Sequence, residues 1–266
     1  MRSRVISAII MLLIFIPVLL VGGQIFNFLC LVLSICSLYE FIKVKQTKKE
    51  LPNFIKFISY ILISLIILLN SGKEILEFSI DYRLFCGIFI MYLTPVVLYH
   101  DQKIYSINDA FYMISGIIFL GISFSLLATV RVQNILLLVY LLLIAIITDT
   151  YAYITGFLIG KHKMIEQISP KKTIEGMIGG TLMGVFVSVL FYHNFIDNEV
   201  EIYIITIVSL FLSILGQFGD LCFSAIKRYF NVKDFSNLIP GHGGILDRLD
   251  SIIFIVLGFM FFISII

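Results

Sequence analysis

The sequence predicts an all-α fold, a polytopic membrane bundle of about nine transmembrane helices whose N-terminus is cytoplasmic. Hydrophobic residues make up 60% of the 266 residues and charged residues only 14%, whereas about a quarter of a soluble domain is charged. The apolar residues lie in nine segments of about 16 to 21 residues, close to the length that spans a bilayer. Lysine and arginine are concentrated in alternate connections between these segments, which is the charge pattern of a membrane protein.

The first four spans carry few polar residues and are interpreted as scaffold. They are predicted over residues 5–21, 25–42, 54–70 and 84–99. The first two are predicted to form a tight helical hairpin, because Gly22, Gly23 and Gln24 between them are a turn sequence. A basic block, residues 43–49, follows this hairpin.

The other five spans lead into the region where polar residues concentrate. They are predicted over residues 110–130, 135–154, 177–192, 202–219 and 249–266. From residue 149 onward the polar residues gather in two loops and in the helix ends that flank them. We therefore predict an N-terminal transmembrane scaffold over residues 1–140 and a C-terminal catalytic region over residues 141–266, within one integral membrane unit.

The basic residues orient the predicted bundle. With nine spans and the N-terminus inside, sixteen of the 19 lysines and arginines lie on the cytoplasmic side, and only Lys73, Arg83 and Arg131 lie outside. Reversing the topology would invert this bias. The two polar loops of the C-terminal region are therefore predicted to face the cytoplasm.

One group of polar residues follows the 202–219 span. At about 100° per residue, Asp220, Ser224 and Lys227 share one helix face, and Arg228 lies at its edge. An acid, a hydroxyl and a cation that converge in this way can hold a metal ion together with a phosphate. A self-neutralising charge arrangement is the alternative, but ionisable groups at a membrane boundary are costly and favour a functional interpretation.

A Gly-rich turn, Pro240-Gly241-His242-Gly243-Gly244, leads into the last span. Glycine lets the backbone take positive φ and approach a ligand closely. Such a turn before a helix N-terminus offers unpaired N–H groups to a phosphate, and His242 could donate to a phosphate oxygen. An ordinary Pro-Gly turn is the alternative for this segment.

Two carboxylates follow this turn, three residues apart. Asp247, Asp250 and Ser251 share a helix face, and Arg248 lies beside them. Mg²⁺ prefers one or two carboxylates together with waters and substrate phosphates. We therefore expect these aspartates to face Asp220 across a cytoplasmic cleft, with Asp–Arg pairing at a helix start as the alternative.

The loop upstream adds an acid and two cations. Asp149 lies at the polar end of the 135–154 span, within TDTYAY. Lys171 and Lys172, within SPKKTIEG and close to Glu175, are predicted to form a cationic helix start, although any cytoplasmic loop could carry two lysines. Just beyond, glycines recur every fourth residue over 176–184, which predicts close helix packing.

Together, these groups of residues predict an enzyme that acts on a lipid phosphate. The cytoplasmic mouth of the bundle would hold about four carboxylates for a divalent metal and about six cations for phosphates. This chemistry predicts phosphoryl or nucleotidyl transfer to a substrate reached from the bilayer. A transporter or channel is the alternative class, since intramembrane charges also mark ion paths. It should carry broken helices or an internal repeat, and the sequence shows neither clearly.

The spacing of these residues resembles the signature of the phosphatidate cytidylyltransferase (CDP-diacylglycerol synthase) family. The match runs, without a departure, over Ser224-x-x-Lys227-Arg228, Lys233-Asp234 and Pro240-x-His242-Gly243-Gly244-x-x-Asp247-Arg248-x-Asp250. The DTYAY and SPKKTIEG segments are also similar, although Ile174 stands where Trp is more often expected. The resemblance is strong over residues 145–255 and covers the earlier spans only by topology.

The resemblance implies an Mg²⁺-dependent nucleotidyltransferase of phospholipid biosynthesis. Phosphatidate would attack the α-phosphorus of CTP, giving CDP-diacylglycerol and pyrophosphate without a covalent enzyme intermediate. Catalysis would then consist of positioning and charge neutralisation. The family also implies an integral protein of a bacterial inner membrane with its active site facing the cytoplasm. It allows a second, monovalent cation such as K⁺ and suggests a homodimer, and no nucleic-acid partner is expected.

The resemblance also implies roles for residues of this sequence. The catalytic residues would be Asp220, Ser224, Lys227, Arg228 and Asp247. The metal carboxylates would be Asp220, Asp247 and Asp250. The residues that bind CTP and phosphatidate would be Asp149, Lys171, Lys172, Lys233, Asp234, His242, Gly243, Gly244 and Arg248.

The resemblance leaves one alternative for the lipid acceptor. A CTP-using relative that acts on another lipid, such as a polyprenol kinase or a synthase of ether-linked lipids, would be the nearest competing enzyme. Assays with different acceptors would separate these enzymes.

Overall fold

The structure, a computed structural model, describes residues 2–79 and 81–263 and all of their side chains except those of residues 2–5 and 76. Most of these residues are helical. The helices are α1 Arg2–Val21, α2 Gly23–Gln46, α3 Asn53–Leu69, α4 Tyr82–Tyr99, α5 Ile107–Gln133, α6 Ile135–Ile159, α7 Ile174–Phe195, α8 Ile202–Tyr229 and α9 Leu246–Phe259. Two short strands, β1 Lys163–Ile165 and β2 Ser169–Thr173, lie between α6 and α7, and a 3-10 turn covers Ile75–Glu77.

The chain divides into two compact units. The first unit contains Met1–Gln133 and Phe230–Asp247, and the second contains Asn134–Tyr229 and Arg248–Ile266. The first unit thus includes the loop between α8 and α9, which the sequence assigned to the C-terminal catalytic region. The division of roles between residues 1–140 and 141–266 stays a prediction.

Each of the nine predicted spans overlaps one described helix, but α9 ends at Phe259, and residues 260–263 of the last predicted span form turns. Within the described residues, six helices, α2 and α4 to α8, are long and apolar enough to cross a membrane. The apolar part of α1 and the helix α3 are shorter, and α9 has 14 residues in the described part of the chain. The fold class, a helical polytopic membrane protein, is confirmed, whereas the count of nine spans stays a prediction. Residues 264–266 of the last predicted span lie outside the described residues.

The break between α1 and α2 is confirmed, but it is shorter than the predicted turn, because Gly23 and Gln24 already belong to α2; a tight hairpin of the two helices stays a prediction. Only Gly22 separates the two helices, and it has φ +67°. Arg131, near the end of α5, donates to the carbonyl oxygens of Leu19 at 2.7 Å and Leu20 at 3.0 Å. These bonds satisfy carbonyls in the last turn of α1 that have no helical partner. The positive φ of residue 22 strains any side chain other than glycine's, so the turn favours glycine.

The central helix of the first unit is α5. Most of its residues are buried, and it packs against α2, α3 and α4. Near its start, the buried Asp109 forms ion pairs with Lys45, at 2.7 Å, and with Lys49. Two lysines of the basic block are therefore partners of a buried carboxylate, which needs such partners to offset its lost hydration.

In the second unit, α6 and α7 pack closely through glycines. A Cβ at Gly176 would lie 2.6 Å from the carbonyl oxygen of Ala152, and a Cβ at Gly180 would lie 2.5 Å from that of Thr148. A larger residue at either position would push the helices apart. The close packing predicted from the glycine spacing is therefore confirmed.

The segment before α7 is a strand and not the predicted helix start. β2 pairs with β1 in an antiparallel ribbon. α7 begins at Ile174, where Thr173 Oγ1 accepts a hydrogen bond from Gly176 N at 3.1 Å as the N-cap. Lys171 and Lys172 lie before this cap on extended backbone. The prediction of a helix start at these lysines is wrong, because strand pairing and the position of the cap place the helix after them.

Candidate active site

Three aspartates of the second unit lie near one another. Asp149 is on α6, Asp220 on α8 and Asp250 on α9, and each is close enough to the others to interact electrostatically. We call these three residues the acidic cluster. The structure thus brings together two of the predicted metal carboxylates, Asp220 and Asp250, with Asp149, which was predicted to bind substrate.

Asp220 is the partner of two neighbouring side chains. Lys172 Nζ on β2 lies 2.6 Å from Asp220 Oδ2, and Ser224 Oγ donates to Asp220 Oδ1 over 3.3 Å. The second bond shows that these two residues, four positions apart, share one face of α8, as predicted. The side chains of Lys172 and Asp220 are 28% and 27% exposed, so a ligand can reach both.

Asp149 and Asp250 are linked through Ser251. Ser251 Oγ donates to Asp149 Oδ2 at 3.2 Å, and Ser251 N donates to Asp250 Oδ1 at 2.9 Å. Asp250 is buried and has Lys227, also buried, within electrostatic range. A buried carboxylate is tolerated when a nearby cation and hydrogen bonds offset its lost hydration. Lys227 therefore balances part of the negative charge of the acidic cluster.

The oxygen donors of the acidic cluster suit a hard divalent cation. Mg²⁺ binds one or two carboxylates and keeps its other positions for waters and substrate phosphates. Among the residues that the structure describes, no three His, Cys, Asp or Glu side chains are arranged to hold a metal ion by themselves.

The ribbon brings its lysines to the end of α8. Arg228 Nε donates to the carbonyl oxygen of Ile168, in the turn between the strands, at 3.2 Å. Lys172 on the same ribbon is paired with Asp220, whereas Lys171 is exposed. Three predicted site cations, Lys171, Lys172 and Arg228, therefore lie on the ribbon or on the part of α8 that contacts it, all within the second unit.

In the first unit, the Gly-rich turn closes on itself. Ile239 N donates to the carbonyl oxygen of Gly243 at 2.9 Å, and Gly243 N donates back to that of Ile239 at 3.2 Å. Gly241 and Gly243 have φ of +77° and +88°, a region that favours glycine. The positive φ expected for this turn is confirmed.

His242 in this turn contacts the first helix. Ser7 Oγ donates to the carbonyl oxygen of Pro240 at 3.0 Å and lies 2.7 Å from His242 Nδ1. Which of the two groups donates in the contact between Ser7 Oγ and His242 Nδ1 depends on the tautomer of the ring. Donation from His242 to a phosphate oxygen stays a prediction.

Asp247 is directed back at the loop that precedes it. Its Oδ2 accepts hydrogen bonds from Phe235 N and from Gly244 N, both at 2.9 Å. It belongs to the first unit, whereas Asp220 and Asp250 belong to the second. Its role as a metal ligand stays a prediction, and one of its oxygens already holds the loop.

Glu40 of α2 is a partner of this loop that the sequence pattern did not indicate. It is fully buried, and it accepts hydrogen bonds from Ser236 Oγ at 2.6 Å and from Ile245 N and Leu246 N at 2.8 Å. The expectation of unpaired N–H groups before α9 is therefore wrong at these positions, because the protein's own carboxylates satisfy them. The available signal was a glutamate inside an apolar span, which marks a functional site in membrane segments.

The remaining predicted residues are exposed. Lys233 and Asp234 lie on the loop between α8 and α9, and Asp234 lines a cavity of about 300 Å³ together with Lys43. Arg248 is on the first turn of α9. The roles of these residues in binding CTP or phosphatidate, and those of His242, Gly243 and Gly244, stay predictions.

Comparison with known proteins places the chain among cytidylyltransferases. The chain matches the profile of the cytidylyltransferase family over residues 2–266. It is 36% identical over 257 residues to a Staphylococcus haemolyticus (strain JCSC1435) protein named phosphatidate cytidylyltransferase, with 96% of each chain covered. Proteins of the same name from Staphylococcus epidermidis (strain ATCC 12228 / FDA PCI 1200) and Staphylococcus aureus (strain COL) are 36% and 35% identical, with the same coverage. These matches extend over both units.

Proposed function

The chain belongs to the cytidylyltransferase family, and on that premise we propose that it is a phosphatidate cytidylyltransferase. The observation that carries the proposal is the complete signature from Ser224 to Asp250. It occurs in a chain that is 35–36% identical to proteins of that name over 96% of its length. Family membership also confirms the resemblance found in the sequence and the prediction of a nucleotidyltransferase.

The proposed reaction is a single displacement at phosphorus. An oxygen of the phosphatidate phosphate forms a bond to the α-phosphorus of CTP, and the bond from that phosphorus to the α–β bridging oxygen breaks. Pyrophosphate leaves with the electron pair, and CDP-diacylglycerol is the other product. Because the nucleophile is already an anionic phosphate, the protein has only to orient the two substrates and offset their charge.

The acidic cluster and its neighbouring cations carry this chemistry in the proposal. Mg²⁺ held by Asp220 and Asp250 would neutralise charge on the triphosphate oxygens. The assignment of Asp247 as a metal carboxylate comes from the resemblance alone. Lys172 and Lys227 bind phosphate oxygens and bring two anionic substrates together. Ser224 orients the Asp220 carboxylate or a phosphate oxygen through its hydroxyl.

In the proposal, the site faces the cytoplasm from a bacterial cell membrane. Nine spans with the N-terminus inside would put sixteen of the 19 basic residues on the cytoplasmic side. The relatives named above come from Staphylococcus, a bacterial genus. The protein would then receive phosphatidate from the bilayer and CTP from the cytoplasm, and would supply CDP-diacylglycerol to phospholipid synthesis. A homodimer stays a prediction.

Radiolabel transfer by purified protein in detergent tests the proposal. With α-labelled CTP, phosphatidate and Mg²⁺, label should enter the lipid with an equal release of pyrophosphate, and omission of phosphatidate should abolish both. Transfer of label from γ-labelled CTP to a polyprenol would identify a kinase and overturn the proposal. Folded, monodisperse protein that transfers no label to phosphatidate would also overturn it.

A further inference from the structure

Glu40 places a charged side chain in the interior of the first unit. The side chain is fully buried on α2. A carboxylate removed from water needs hydrogen bonds to offset its lost hydration. The loop between α8 and α9 and the start of α9 supply three of them. The carboxylate and this loop therefore depend on each other.

The three hydrogen bonds lie on both sides of the Gly-rich turn. Ser236 Oγ, at 2.6 Å, precedes the turn, and Ile245 N and Leu246 N, both at 2.8 Å, follow it. One side chain thus joins the two ends of the segment 236–246. The two amides also lie at the N-terminus of α9, where the helix dipole favours a negative charge.

The turn is shaped around this carboxylate. A Cβ at Gly244 would lie 2.6 Å from both Glu40 Oε atoms, while Gly244 N donates to Asp247 Oδ2 at 2.9 Å. Gly241 and Gly243 adopt positive φ, and glycine can leave that region as easily as it enters. Besides the turn's own backbone hydrogen bonds between Ile239 and Gly243, Glu40 holds both of its ends.

We propose that Glu40 is a positioning residue that holds the Gly-rich turn in the conformation that binds the triphosphate of a nucleoside triphosphate. This inference rests on the proposed function and on the prediction, implied by the family resemblance, that His242 and Gly243 bind the phosphates of CTP. Glu40 touches no substrate, because its carboxylate is enclosed by the protein. It acts through Ser236 and through the first amides of α9.

The first test compares Glu40→Gln with Asp109→Asn in purified protein. Both changes replace a buried carboxylate of the first unit by its isosteric amide, but Asp109 is bonded to Lys45 and Lys49 and not to the loop. Glu40→Gln should raise the KM for CTP and lower kcat/KM for CTP by about 10- to 100-fold, because small displacements of binding groups are costly. The KM for phosphatidate should stay within about twofold.

Two variants define the size of the effect. Asp109→Asn should change both KM values by less than about threefold, even where it lowers the unfolding temperature. Ser236→Ala removes one of the three hydrogen bonds and should raise the KM for CTP less than Glu40→Gln does. If Glu40→Gln does not fold, Ser236→Ala is compared with Asp109→Asn in its place. Equal effects of Glu40→Gln and Asp109→Asn, or equal increases in both KM values, would overturn the proposal.

Hydrogen exchange separates a failure of this inference from a failure of the proposed function. Mass spectrometry of peptides that contain residues 245 and 246 should show faster amide exchange in Glu40→Gln than in the unchanged protein, whatever its activity. Unchanged exchange would overturn the positioning role even if the protein turns over CTP. Faster exchange with an unchanged KM for CTP would also overturn it. Wild-type protein without cytidylyl transfer would instead refute the proposed function.

Discussion

Lys172 Nζ lies 2.6 Å from Asp220 Oδ2, so a cation of the β1–β2 ribbon and a carboxylate of α8 form one ion pair at the proposed site. Both side chains remain about a quarter exposed, and a pair of this kind adds only about 0–1 kcal/mol to stability. We therefore expect this ion pair to matter for the binding of substrate and metal and not for stability. A phosphate can replace the carboxylate as the partner of Lys172 and leave Asp220 for a metal ion.

Lys172→Met is expected to reduce kcat/KM for CTP more than Lys171→Met. The two residues are neighbours on β2, so their side chains lie on opposite faces of the ribbon, and Lys172 is the one paired with Asp220. The expected loss for Lys172→Met is about 10- to 150-fold, the equivalent of roughly 1.5–3 kcal/mol for a hydrogen bond to a charged group. Steady-state kinetics with varied CTP measure the difference. Equal losses would mean that the two lysines add only general positive charge.

Removal of divalent metal with EDTA should abolish turnover, and added Mg²⁺ should restore it. Asp220→Asn and Asp250→Asn should lower the maximal rate by at least about 100-fold and raise the Mg²⁺ concentration for half-maximal rate. Asp197→Asn is the control, because this aspartate is bonded to Glu199 N in the loop before α8. An unchanged Mg²⁺ dependence in both cluster variants would remove the metal assignment.

Asp247→Ala is expected to abolish activity and to destabilise the protein. Phe235 N and Gly244 N lose their acceptor, which costs about 1–3 kcal/mol for each buried donor left unsatisfied. Activity should not return at any Mg²⁺ concentration, because the loop and the assigned ligand are lost together. Thermal unfolding in detergent and turnover over an Mg²⁺ series measure the two effects. Near-normal turnover would exclude Asp247 from the site.

Ser224→Ala should lower kcat by about 2- to 10-fold, the effect of one ordinary hydrogen bond, without changing the unfolding temperature. Its hydroxyl donates to Asp220 over a long distance of 3.3 Å, so it can turn to a phosphate when substrate binds. Thr206→Ala is a matched control on the same helix, since its hydroxyl donates to the carbonyl of Ile202. A rate for Ser224→Ala equal to that of the control would identify the hydroxyl as a packing group.

Gly244→Ala should destabilise the protein through Glu40. A Cβ at residue 244 would lie 2.6 Å from both carboxylate oxygens, closer than van der Waals contact allows. Glu40→Ala removes that clash, so the double variant should be more stable than the sum of the single losses predicts, with a coupling of about 0.5–3 kcal/mol. Chemical unfolding of the unchanged protein and the three variants measures the coupling. Additive losses would show that the two residues do not meet.

The sequence by itself determined the helices, the shared face of Asp220 and Ser224, and the family. Each predicted apolar segment overlaps a described helix, because a chain in a bilayer must satisfy its backbone polar groups internally. Asp220 and Ser224 share a face because the helical repeat is a local property. The family could be read from side chains at fixed spacing near the end of the chain.

Only the tertiary structure decided which distant residues meet. Glu40 and Ser236 are 196 positions apart, and Asp149 and Ser251 are 102 apart, so no local pattern predicts either pair. The pairing of β1 with β2 holds Lys172 on extended backbone beside Asp220, although its own sequence suggested a helix. From the sequence, the amide groups at the start of α9 were expected to be unpaired and available to a phosphate. Glu40 and Asp247 accept them, because the partner of a buried N–H group depends on the fold of the whole chain.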